Sequence, residues 1–136
     1  MTTDSFTIVV IEDDVDEAAL MRELLERRGY RIIAAATGEQ CLDHLAREPV
    51  DLVITGIRMP GISGVDLCAV INARFPKLPV IVLSGNAERA RAISTIQDRP
   101  FAFMIKPVKL DVLEGAIKRA LEWLRPGISS PETSDA

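Results

Sequence analysis

The sequence predicts a single α/β domain of five β-then-α units, with a parallel sheet covered by helices on both faces. Three observations predict it. Five short apolar runs rich in β-branched residues recur along the chain. Each is followed by a stretch with apolar residues at helical spacing, the fourth only weakly so. The runs are apolar nearly throughout, as in strands buried on both sides. Right-handed crossovers then favour a doubly wound sheet.

In chain order, Phe6-Thr7-Ile8-Val9-Val10-Ile11 is the first strand. Residues 15 to 28 follow as a helix with Ala18, Met21, Leu24 and Leu25 on one face, closed by Gly29. Tyr30 to Ala35 is a second, weaker strand. Thr37 can cap the next helix, which places Cys41, Leu42 and Leu45 together. Asp51 to Thr55 is the third strand, and Gly56 to Ser63 a loop containing Pro60 and Gly61. A helix runs from Val65 to Arg74, stopped by Pro76. Pro79 to Leu83 is the fourth strand, and a short helix is expected over Ala87 to Gln97. Phe101 to Ile105 is the fifth strand. The last helix, Lys109 to Leu124, repeats Leu110, Leu113, Ile117, Ala120, Leu121 and Leu124 at intervals of three and four. Pro126 to Ala136 has the polar, Pro- and Ser-containing composition of a disordered tail. The domain is therefore expected over residues 1–125 and the tail over 126–136.

Composition narrows the function classes. The chain has 136 residues, the size of one domain, with 48% apolar and 26% charged residues. Its formal net charge is −4, with acids and bases interspersed, so no basic block suggests binding to nucleic acid. No apolar run approaches the roughly 18 residues of a membrane span. The first residues lack the basic start and apolar stretch of a signal peptide, so a cytoplasmic location is expected. Cys41 and Cys68 each fall in a predicted helix and read as small packing residues. His44, beside Asp43 and Arg47, reads as a solvated surface residue.

In a doubly wound sheet, ligands bind beyond the C-terminal ends of the strands. Glu12-Asp13-Asp14 follows the first strand, Thr55-Gly56 the third, Ser84-Gly85 the fourth and Lys106-Pro107 the fifth. Clustered carboxylates suit Mg²⁺, which prefers oxygen ligands and retains water. A hydroxyl and an ammonium suit phosphoryl oxygens. An acidic triplet alone could be no more than a helix start favoured by the dipole. A lysine at the same rim favours a site.

These motifs carry a resemblance. Val10-Ile11-Glu12-Asp13-Asp14, Leu52 to Gly64 with Met59-Pro60 inside it, Val82-Leu83-Ser84-Gly85 and Phe103-Met104-Ile105-Lys106-Pro107 stand in order, each at the right strand. Over residues 6 to 124 the chain resembles a response-regulator receiver domain of two-component signal transduction. The resemblance implies a flavodoxin-like (βα)₅ fold with strand order 2-1-3-4-5, and a signalling module rather than an enzyme. It implies that Asp13 holds Mg²⁺ directly, Glu12 mostly through water, and Arg58 through its backbone carbonyl. Ser84 matches the switch hydroxyl, Lys106 the lysine that pairs with the phosphoryl group, and Phe103 the aromatic switch. Pro107 matches the proline of a cis Lys-Pro bond. The implied partners are a sensor histidine kinase or phosphotransfer protein, and a homodimer through the fourth helix, fifth strand and fifth helix. Phe101 and Trp123 are candidate anchors on that face.

One position departs from the pattern. Counting back from Met59-Pro60, the family's phosphoacceptor aspartate falls at Gly56. Thr55 points to the other face of its strand. Asp51 lies five residues back, about 16 Å in an extended chain. Asp14 is the best remaining acid and a poor one. An acyl phosphate needs a carboxylate nucleophile, so none can form at residue 56. Mg²⁺ also loses a ligand there, so weakened binding is expected. Two functions remain in view: a phosphorelay receiver unable to accept phosphate at residue 56, and a phosphorylation-independent interaction or dimerisation module. A small flavodoxin-like enzyme finds no support, because no glycine-rich phosphate loop, Ser-His-Asp set or histidine cluster is present.

Overall fold

Side chains alternate across five short parallel strands and divide the core into two layers. The computed structural model describes residues 6–12, 14–57, 61–85 and 101–123. Its elements are β1 (Thr7–Ile11), α1 (Val15–Arg27), β2 (Arg31–Ala35), α2 (Gly38–Arg47), β3 (Leu52–Gly56), α3 (Gly64–Arg74), β4 (Val80–Ser84), β5 (Ala102–Ile105) and α4 (Leu110–Trp123). The strands are parallel in the order β2-β1-β3-β4-β5, the doubly wound arrangement expected. The expected helix over Ala87 to Gln97 and the tail over 126–136 lie outside the described residues.

Ile8 and Val10 of β1, Leu52 and Ile54 of β3, and Ile81 and Leu83 of β4 face one layer, packed with Leu25 of α1 and Leu113, Ile117 and Leu121 of α4. Val9 and Ile11, Val53, Val80 and Val82 face the other, against Cys41 and Leu45 of α2 and Leu67, Cys68 and Ile71 of α3. At roughly 25 cal/mol per Å² of apolar surface removed from water, these two layers hold the sheet and helices together.

Helix starts are set by side-chain caps. Asp14, Thr37 and Ser63 accept hydrogen bonds from the backbone N–H of Glu17, Gln40 and Asp66. Gly29, at φ 96°, turns the chain out of α1 as the sequence predicts. Arg28 beside it pairs with Glu114 of α4.

Two features differ from expectation. The inner stripe of α1 is only half-buried at Ala18, Met21 and Leu24, because a groove separates α1 from the head of α4. β5 is not buried on both sides: Phe103 and Ile105 are 37% and 48% exposed. It is the edge strand of the sheet. Phe101 is likewise exposed. The side chain of Trp123 lies outside the described residues.

Candidate functional site

The parallel register brings the strand ends to one rim. Ile11 pairs with Thr55, Gly56 with Leu83, and Ser84 with Ile105. Glu12 therefore follows β1 level with Gly56, the last residue of β3, and Lys106 follows β5 beside Ser84. Asp13, Arg58, Met59 and Pro60, named from the sequence, lie outside the described residues.

Lys106 and Glu12, 94 residues apart, meet directly: Lys106 Nζ donates to Glu12 Oε1 at 3.0 Å. A second carboxylate joins them, Glu17 in the first turn of α1, whose Oε1 accepts from the same Nζ at 2.9 Å. Glu12 is nearly buried, with its side chain 9% exposed, and Lys106 is 30% exposed. Partial burial by itself would lower the Lys106 pKa. The hydrogen bonds and charges of Glu17 and Glu12 outweigh it, so the ammonium sits above the ordinary lysine value. The peptide bond from Lys106 to Pro107 is cis, as expected. The Lys106 amide donates to the Ser84 carbonyl at 2.7 Å, tying the two strand ends together. Ser84 is buried.

Glu17 was not singled out from the sequence. It shares the first turn of α1 with Asp16, and only its contact with Lys106, 89 residues away, sets it apart. Asp14, weighed as a substitute acid, is committed elsewhere: its carboxylate caps α1 on the Glu17 amide at 3.0 Å. Its own amide donates to Glu12 Oε2 at 3.2 Å. Both Glu12 oxygens are therefore engaged. Asp51 is at the opposite end of the sheet, accepting from the Thr7 amide at 2.8 Å. Thr55 is buried and turns its hydroxyl onto the Gly56 carbonyl at 3.0 Å.

Among the described residues, a Cβ on Gly56 would meet only the Leu83 carbonyl, at 3.9 Å. The following loop is held from α2: Glu39 Oε2 accepts from the Ile62 amide at 3.1 Å, and Ile62 fills the space that a Cβ on Gly38 would take.

Beside Lys106 an apolar groove of about 500 Å³ runs between α1 and α4, walled by Leu20, Met21, Leu24, Val108, Leu110 and Leu113. Leu83 forms part of its lining, and Glu17 and Lys106 are its polar members. Leu20 in its wall is more than half exposed.

The described residues do not by themselves make a magnesium site. Both Glu12 oxygens already accept hydrogen bonds, Glu17 is paired with Lys106, and Gly56 offers no side-chain ligand. No group of three or more His, Cys, Asp or Glu that could hold a metal occurs among the described residues. No helix among them is long and apolar enough to cross a membrane.

Comparison with known proteins gives a consistent result. The family model for the response regulator receiver domain matches residues 8–118. The transcriptional regulatory protein GlrR of Escherichia coli K12 is 36% identical over 119 residues, 88% of this chain and 27% of that protein. The C4-dicarboxylate transport transcriptional regulatory protein DctD of Rhizobium meliloti is 34% identical over 119 residues, 88% of this chain and 26% of that protein. The chain spans about a quarter of the length of these relatives. Among solved structures, a response regulator receiver domain protein of Clostridium thermocellum superposes with TM-score 0.83 at 28% identity, covering 90% of this chain and 99% of that one. The response regulator TrrA of Thermotoga maritima, solved in complex with Mg²⁺ and BeF, superposes with TM-score 0.78 at 28% identity, covering 85% and 99%.

Proposed function

Since the chain belongs to the response regulator receiver family, we propose that it is a two-component phosphorelay receiver that cannot accept phosphate at residue 56. The observation that carries this reading is the meeting of Glu12 and Lys106 at the rim where β3 ends in a residue without a side chain. In a receiver, phosphoryl transfer needs a carboxylate oxygen to attack phosphorus. Gly56 supplies none, Thr55 is turned away, and Asp14 caps a helix.

Lys106 and Ser84 take the phosphoryl-binding and switch roles in this proposal, with Phe103 the aromatic partner on β5. Mg²⁺ binds weakly, through Asp13, Glu12 and the Arg58 carbonyl, because residue 56 contributes nothing. The partner is a sensor histidine kinase or phosphotransfer protein, which must bring its phosphohistidine to this rim. A cytoplasmic address belongs with that partner, since the ATP that charges a kinase is found there. A homodimer would form through the face of the fourth helix, fifth strand and fifth helix.

Incubation with acetyl phosphate and Mg²⁺, read by intact mass, tests the defect. No adduct is expected on this chain, and labelling is expected in Gly56→Asp. A stable phospho-adduct on the unaltered chain refutes the proposal.

The groove favours a second reading, a module that binds its partner without phosphorylation. It is apolar, open, and reaches the rim at Lys106. Pockets of this size and lining are suited to inserted apolar groups. Specific partner binding without Mg²⁺ or phosphodonor is expected. Binding that appears only in Gly56→Asp with donor present excludes this reading.

A further inference from the structure

Four hydrogen bonds close a ring at the rim. Lys106 Nζ donates to Glu12 Oε1, the Asp14 amide donates to Glu12 Oε2, the Glu17 amide donates to Asp14 Oδ1, and Lys106 Nζ donates to Glu17 Oε1. The cap on α1 thus does two things. It starts the helix, and it fixes the backbone of Glu17 where its carboxylate meets the lysine. We propose that Glu17 is a positioning residue that clasps Lys106 toward the head of α1, and so sets how freely this lysine can serve an acid or anion at residue 56.

The physical case rests on donor supply. A lysine ammonium has three donors, and two are already committed to carboxylates at 2.9 and 3.0 Å. Any group at residue 56 that draws the ammonium away from these carboxylates must work against both bonds. Glu12 is nearly buried and follows β1 directly, so it is the fixed partner. Glu17 is about half exposed, at 52%, and sits on a helix, so it is the partner that can let go. Glu17 and Lys106 are also the polar members of the groove between α1 and α4. Release of Lys106 from Glu17 would therefore loosen the loop from β5 to α4 at the point where the groove meets the rim.

The clasp is partly exposed, which limits its strength. Exposed pairs of this kind contribute enough to change a local equilibrium by about two- to fivefold. Hydrogen exchange across residues 105–110 reads that equilibrium, because the Lys106 amide is bonded to the Ser84 carbonyl. In the full chain, Glu17→Gln should speed exchange in this segment by that factor. Asp16→Asn removes the same charge from the same helical turn and should leave it unchanged. In the Gly56→Asp background, Glu17→Gln should raise the rate of labelling by acetyl phosphate similarly, again with no effect of Asp16→Asn.

Equal exchange in Glu17→Gln and the parent overturns the clasp. So does an equal response to Asp16→Asn, which would make the effect one of net charge, and so does slower labelling in the double variant. Only the labelling arm rests on the receiver reading. If Gly56→Asp alone takes no label, that reading fails, while the exchange measurement still decides the role of Glu17.

Discussion

Gly64 stands so close to Gly56 that a Cβ built on it would fall 2.0 Å from the Gly56 carbonyl oxygen. The Gly64 amide donates to the Ile57 carbonyl at 2.8 Å, so the first turn of α3 is laid directly on the end of β3. Only a residue without a side chain permits that approach. Gly64→Ala is expected to destabilise the protein by roughly 1–3 kcal/mol, the cost of overpacking against backbone that cannot swing away. Urea denaturation measures it. Gly85→Ala is the control: none of the described residues lies within 4 Å of a Cβ there, and its effect should stay within about 0.5 kcal/mol.

Gly56 offers the opposite situation among the described residues, with only the Leu83 carbonyl at 3.9 Å from a new Cβ. Gly56→Asp should therefore fold. It places a second carboxylate near Glu12, and a loss of about 1 kcal/mol at neutral pH is expected. Repulsion raises the folded-state pKa of the added group, so the loss is present above the carboxylate range. It disappears as pH falls through that range. Parallel urea titrations of the two proteins at several pH values give the difference directly.

Cys41 and Cys68 are both buried, one on each of the helices facing the second core layer. Burial pushes the Cys41 thiol up to about 12. Neither thiol should react with an aromatic disulfide reagent in the folded protein at pH 8, and both should react promptly in denaturant. The thiolate is the reactive form, so the native rate reports opening of the core. The linkage has a definite sign. Stability due to the protonated Cys41 is fully present below pH 9.0 and is lost as pH rises toward about 12.

Lys106 gives a second pH signature. Against the lowering effect of its partial burial, its carboxylate partners raise its pKa above the ordinary lysine value of 10.5. Its ion-pair contribution is therefore fully present below pH 10.5 and is lost as pH climbs through the folded-state value. The stability difference between the parent and Lys106→Met should be constant from neutral pH up to about 10, then close. A gap that stays constant through pH 12 would show that the ion pairs do not stabilise the fold.

The limits of the sequence reading show at particular residues. Gly29 and Thr37 were legible because a left-handed exit and an N-cap are local requirements of the backbone. Glu12, Ser84 and Lys106 were legible as strand-end residues, because a parallel sheet gathers its C-terminal ends. Glu17 was not, since nothing local distinguishes it from Asp16, its neighbour in the same turn. The half-exposed stripe of α1 was equally hidden. Helical spacing in Met21 and Leu24 states which face turns inward, not how closely α4 approaches it.

Five apolar runs, their punctuation by Gly and Pro, and the residues after each run sufficed to determine the doubly wound fold and the rim where its chemistry gathers. Those are consequences of periodicity and of hydrogen-bonding needs within each segment. That Lys106 bonds Glu12 and Glu17, that Gly64 must approach Gly56, and that a groove opens beside them were decided only in three dimensions. Each depends on distances between segments far apart in the chain, and those follow from how the whole core packs.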